Sequence, residues 1–244
     1  MTAAATPTLG RIALHRHADA DALAHGVAQA VRAAVEAGIA RRGVASLVVT
    51  GGSTPRAYYP RIAALDLPWN RVWLTLSDER WVEPTHPDSN EGLVRERLLQ
   101  DRAAAAHFVP LKSDAATARA GVETAAARLR ELPHPYDVAL LGVGGDAHIA
   151  SLFPGAAGID AALAEDNADP CAAIDPPPGV TPALPRITLT LAELMRSTRV
   201  VLAARGADKL AAVERAAAGG WPLRSPIFEL ARRARPPVDF HWCP

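Results

Sequence analysis

The chain has 244 residues, enough to bury a substantial core in one large α/β domain or two small ones. Its 26 acidic and 26 basic side chains cancel, so no overall field draws it to nucleic acid or an anionic membrane, and any anion must be gripped locally. Two cysteines, Cys171 and Cys243, exclude a disulfide framework and a cysteine-rich zinc site, and a reducing, cytoplasmic setting is expected.

Met1 to Gly10 lacks the basic and apolar regions of a signal peptide, and no apolar run approaches the ~20 residues of a membrane span. From Asp19 to Arg42 the spacing predicts an amphipathic helix, with Leu23, Val27, Val31 and Val35 on one face and Gly43 as its C-terminal cap. Ser46 to Thr50 reads as a short buried strand. Gly51, Gly52, Ser53 and Thr54 then lead into a helix with Pro55 in its first turn. Arg71 to Leu76 is the next strand, followed by a polar loop from Ser77 to Asn90, and Ser89 or Asn90 caps a helix through Leu99. His107 to Pro110 is a short strand, Asp114 to Leu132 a helix, and Asp137 to Leu141 a strand ending in glycines. Pro154 to Pro185, rich in Pro, Ala, Gly and Asp, reads as a long surface excursion. Strands at Arg186 to Leu191 and Arg199 to Ala204 enclose a short helix from Ala192 to Arg196. A helix from Asp208 to Ala218 and a final strand from Val238 to Trp242 complete the chain. This alternation predicts an α/β fold of three layers, a largely parallel Rossmann-like sheet between helices, in a single domain spanning 1–244.

Ligands in such sheets sit beyond the carboxyl ends of the strands. At one such end, Gly142, Gly144 and Gly145 are followed by Asp146 and His148. A histidine titrates near neutrality, and a carboxylate two residues away is what a proton-transfer site requires. The run Gly142, Gly144, Ala147 also satisfies the dinucleotide fingerprint, but Pro154 and Gly155 interrupt at once, where a Rossmann helix would continue. With no second histidine at ligand spacing, no metal is expected.

At another strand end, the turn from Gly51 to Pro55 offers free helix N–H groups with the Ser53 and Thr54 hydroxyls, a cradle for phosphate or carboxylate or simply a capped turn. Arg80 and Lys209 lie at the same edge, and guanidinium suits phosphate oxygens. Arg186 starts a strand, so its place there is less direct. Glu79 reads as a solvated loop residue, and the tryptophans at 69, 73, 81, 221 and 242 as packing anchors.

In chain order, Val48 to Pro55, Leu76 to Val82 with Asp88 to Asn90, Leu141 to Gly155, Arg186 to Thr190 and Gly206 to Lys209 resemble the glucosamine-6-phosphate isomerase/6-phosphogluconolactonase family. The resemblance implies hydrolysis of 6-phospho-D-glucono-1,5-lactone in the oxidative pentose phosphate pathway, with no metal or organic cofactor. It makes His148 the catalytic histidine, oriented or given its water by Asp146, with Arg80 or the Gly144 and Gly145 turn at the developing oxyanion. Gly51, Gly52, Ser53, Asp78, Arg186 and Lys209 complete the expected substrate contacts, their division between phosphate and lactone ends left open. The expected partner is a small phosphosugar lactone, not nucleic acid or membrane, and the expected state a monomer.

The family usually has Gly-His-Thr where this chain has Ala147, His148 and Ile149. Its deaminase branch places a glutamate where this chain has Phe153, which cannot transfer protons, so the lactonase branch is favoured. Two alternatives stand beside it: a sugar-phosphate isomerase or deaminase using Asp78 as its base, and a sugar-phosphate sensor. The sensor is disfavoured, since fewer than 50 residues precede the first predicted core strand, one helix already uses them, and no basic patch is present.

Overall fold

The computed structural model describes residues 8–221 and 223–244; the signal-peptide reading of Met1 to Gly10 falls mostly outside them. The chain runs β1 (Thr8–Leu9), β2 (Ile12–Arg16), α1 (Ala20–Arg42), β3 (Ala45–Val49), α2 (Pro55–Ala63), β4 (Val72–Leu76) and β5 (Asp78–Arg80). Then come α3 (Asn90–Arg97), β6 (His107–Val109), α4 (Ala118–Arg130), β7 (Val138–Gly142), α5 (Ile159–Ala162), β8 (Cys171–Ile174) and β9 (Arg186–Leu189). It closes with α6 (Leu191–Leu194), β10 (Val200–Arg205), α7 (Ala207–Ala217), α8 (Pro226–Arg233) and β11 (Val238–Cys243). Among the described residues no helix is long and apolar enough to cross a membrane.

The main sheet has the order β1-β2-β11-β10-β7-β3-β4-β6, parallel except for the β1–β2 pair. Every residue of β3 is buried, as are Val138 to Leu141 of β7, because helices cover both faces of a parallel sheet. α1 begins where Asp19 Oδ1 accepts the Ala22 N–H at 2.8 Å and ends at Gly43, whose φ of 78° lets its N–H reach the Ile39 carbonyl. Its apolar stripe of Leu23, Val27, Val31 and Val35 is fully buried.

From β3 the chain steps one way to β4 and β6, while β7 lies on the other side. The strand order therefore reverses between β3 and β7. A crevice opens at the carboxyl ends of such a pair, where the flanking connections diverge. Here those connections are the Gly51 turn and the Gly142 to His148 loop.

Four expectations are corrected. The Ser77 to Asn90 loop contains β5, which with β9 and β8 forms a second, antiparallel sheet. Arg186 to Leu189 belongs to that sheet, not the parallel one. The Pro154 to Pro185 excursion supplies β8 and buries Ile159, Leu163, Cys171 and Ile174, and Arg224 holds it through the Asp160 and Leu163 carbonyls. The first core strand is β2, ahead of α1. It went unread because the alternation in Ile12-Ala13-Leu14 is too short to register, and α8 went unread as well.

Candidate active site

The two diverging connections and the second sheet enclose one cavity of about 170 Å³. Thr50 to Pro55 line it from the end of β3, Gly142 to Gly144 and His148 from the end of β7, Asp78, Arg80 and Arg186 from the second sheet, and Lys209 from α7. Of the predicted residues, Gly51, Gly52, Ser53, Asp78, Arg80, Gly144, His148, Arg186 and Lys209 are thus brought together; Asp146 and Gly145 stand just outside the lining.

His148 is presented by a tight turn. Its carbonyl accepts the Gly144 N–H at 2.9 Å, and the Gly144 carbonyl accepts the Ala147 N–H at 3.1 Å. The Gly144 N–H is therefore engaged and not open to an oxyanion. Only glycine fits at 144, since a Cβ would lie 2.2 Å from the imidazole. Asp146 Oδ1 sits 2.5 Å from His148 Nδ1. Burial alone would raise the Asp146 carboxyl, but its hydrogen bonds and charge contact with His148 hold it below the ordinary carboxylate value. A charged carboxylate only accepts, so Nδ1 carries a proton, and in the neutral imidazole Nε2 is the nitrogen with the free lone pair.

Phe153, fully buried, packs its ring against His148 with centroids 4.5 Å apart and the planes tilted by 52°. The Arg186 guanidinium sits over the same ring at 5.0 Å. Arg80 and Arg186 are directly opposed across β5 and β9. Like charges in that position repel, and each arginine also has a buried Nε without a partner. Burial and then the charge of Arg80 lower the Arg186 pKa. Arg80 Nη1 donates to the Asp88 carbonyl (2.6 Å) and Arg186 Nη2 to the Pro182 carbonyl (2.9 Å). Two half-satisfied cations facing one cavity are the arrangement an anion completes.

Asp78 is buried, its oxygens accepting from the Ser77 and Ser151 hydroxyls at 2.8 and 2.7 Å. Lys209 Nζ contacts Asp208 at 2.7 Å and lies near Gly145, whose Cβ would be 3.4 Å from it. At the start of α2, Thr54 makes no side-chain cap, Pro55 has no N–H to offer, and the Ala57 N–H donates to the Thr54 carbonyl at 3.1 Å. Gly52 takes a φ of 101°, closed to most L side chains.

Glu79 is the clearest reversal. It is wholly buried rather than solvated, and burial pushes its carboxyl up to about 7 against the pull of backbone donors and Ser89. Asn90 and Ser151 were missed as site residues. Asn90 lines the cavity but reads in sequence as a helix cap, and Ser151, between Asp78 and Arg186, carries no sequence signal. Among the described residues no three His, Cys, Asp or Glu side chains converge as a metal centre requires.

The family model described as glucosamine-6-phosphate isomerases/6-phosphogluconolactonase matches residues 18–237. The chain belongs to this family. A 6-phosphogluconolactonase of Rhizobium meliloti is 39% identical over 237 residues, 95% of this chain and 98% of its own. One of Pseudomonas aeruginosa is 39% identical over 223 residues, 91% and 90% of the two chains. Among solved structures, a 6-phosphogluconolactonase from Shewanella baltica superposes with a TM-score of 0.87 at 35% identity, over 95% of this chain and 97% of its own. In the turn that carries His148, Ala147 holds a φ of 63°, and Ser225 Oγ donates to its carbonyl at 3.3 Å.

Proposed function

We propose that this chain hydrolyses 6-phospho-D-glucono-1,5-lactone to 6-phospho-D-gluconate, in the oxidative pentose phosphate pathway. The observation that carries the reading is the juxtaposition of an Asp146-paired His148 with three cations on one cavity, with Phe153 packed on the imidazole ring.

Neutral His148 takes a proton through Nε2 from a water that attacks the lactone carbonyl. Asp146 fixes the tautomer and stabilises the imidazolium that forms. With the Gly144 N–H engaged, Arg80 is the donor for the developing oxyanion. The imidazolium then protonates the departing ring oxygen. Ser53, the glycine turn, Arg186 and Lys209 hold the phosphate, so binding energy away from the reacting bond orients the carbonyl toward the water.

The deaminase reading uses Asp78 as its base, and each of its two oxygens already accepts a serine hydroxyl. The site draws on both sheets, which fits a single domain, and free, buried Cys171 and Cys243 suit a cytoplasmic enzyme. We take it to act as a monomer.

The test is hydrolysis of freshly made lactone, corrected for spontaneous opening. His148→Ala is expected to lower kcat by about 10²-fold or more with product affinity little changed, while Lys209→Ala chiefly raises KM. Near-normal kcat in His148→Ala rejects the proposed base, and ammonia release from glucosamine 6-phosphate would favour the deaminase instead.

A further inference from the structure

A single buried carboxylate joins two of the cavity walls. Glu79 Oε1 accepts the Arg80 and Asn90 N–H groups at 2.7 and 2.8 Å, and Oε2 accepts the Glu91 N–H and Ser89 hydroxyl at 2.7 and 3.0 Å. All four partners donate, so the charged carboxylate, an acceptor alone, is the form that satisfies them together, and these donors offset part of the rise that burial imposes. Ser89 Oγ already accepts the Gly92 N–H at 3.1 Å as an ordinary helix cap. The extra carboxylate, costly to bury, therefore needs a reason beyond starting a helix.

That reason lies in what the bracketed residues touch. Asn90 donates Nδ2 to the Asp78 carbonyl at 2.8 Å, and its side chain fills the space over Gly51, where a Cβ would lie 1.7 Å from Oδ1. Two residues earlier, the Asp88 carbonyl steers the Arg80 guanidinium. We propose that Glu79 is a positioning residue: it locks β5 to the start of α3 and thereby sets the spacing of Arg80, Asn90 and the Gly51 turn around the substrate. The inference rests on the cavity being the substrate site.

Glutamine has nearly the same shape but turns an NH₂ toward backbone donors. In Glu79→Gln, kcat/KM for the lactone is expected to fall about 10- to 100-fold, measured where circular dichroism shows full folding, with Glu79→Asp recovering part of the loss. Because part of the effect passes through Asn90, adding Glu79→Gln to Asn90→Ala should cost less than it does alone. Wild-type kcat and KM in folded Glu79→Gln, with only a lowered Tm, would overturn the proposal, as would additive losses in the double variant. If Glu79→Gln does not fold, Ser89→Ala removes one of the four donors and should still raise KM; an unchanged KM there overturns it equally. Arg80→Ala separates the two levels. Impaired Arg80→Ala beside unimpaired Glu79→Gln rejects the bracket alone, whereas wild-type kinetics in Arg80→Ala reject the cavity reading with it.

Discussion

Ala147 holds a backbone conformation that costs an L-residue roughly 1–2 kcal/mol, with a φ of 63° and no exposed surface. One methyl is tolerated there; a branched side chain is not. Ala147→Gly is expected to keep kcat within about twofold, whereas Ala147→Val should lose about 2–3 kcal/mol of stability and lower kcat through its neighbour His148. Thermal unfolding and steady-state kinetics of the two variants check this. At this scale the sequence discloses residues whose chemistry is unusual for their position, such as a histidine after glycines or a cation beyond a strand. It misleads at Glu79, because a glutamate in a charged tripeptide has the composition of a solvated loop. Its four donors come from its own strand and from residues ten to twelve positions on, and no local pattern announces them.

β5 and β9 show the same limit between elements. β5 is Asp78-Glu79-Arg80, with no apolar alternation, and its partner begins at Arg186. Only pairing across that separation makes it a strand, and only pairing opposes the two arginines. The repulsion has a measurable consequence. Product that binds the folded state alone should raise stability by about 2.7 kcal/mol at a hundredfold excess over Kd, and Arg186→Gln should lose most of that gain; a thermal shift titration with 6-phosphogluconate decides it. α1, β3, β4, β7 and α7, by contrast, are legible within a residue or two, since helical period, buried apolar runs and cap residues are local properties.

Across the whole molecule, β2 and β11 bring together three histidines from opposite ends of the chain. His241 stacks with His15 at 4.8 Å and His17 at 5.1 Å, and His17 Nε2 lies 2.9 Å from His241 Nδ1. Asp239, bound to both His15 and Arg199, lies on the same strand as His241. Burial, then the neighbouring histidines, lowers His241 from 6.5 to about 4. Its folded pKa is depressed, so the unfolded chain binds the proton first. The contribution is complete above about pH 6.5 and is lost as pH falls toward 4, on the order of 3 kcal/mol. Tm should drop across that window, and a His241→Gln variant should show a flatter profile. The sequence by itself determined the α/β class, the helices and strands with strong periods, and the family motifs that carry His148, Arg80 and Lys209, because each rests on residues close together in the chain. Tertiary structure alone decided the second sheet, the opposed arginines, the engaged Gly144 N–H and the Glu79 bracket. Each depends on which distant segments share a hydrogen bond or a charge, and that is settled only when the strands at the β3–β7 reversal close around the cavity.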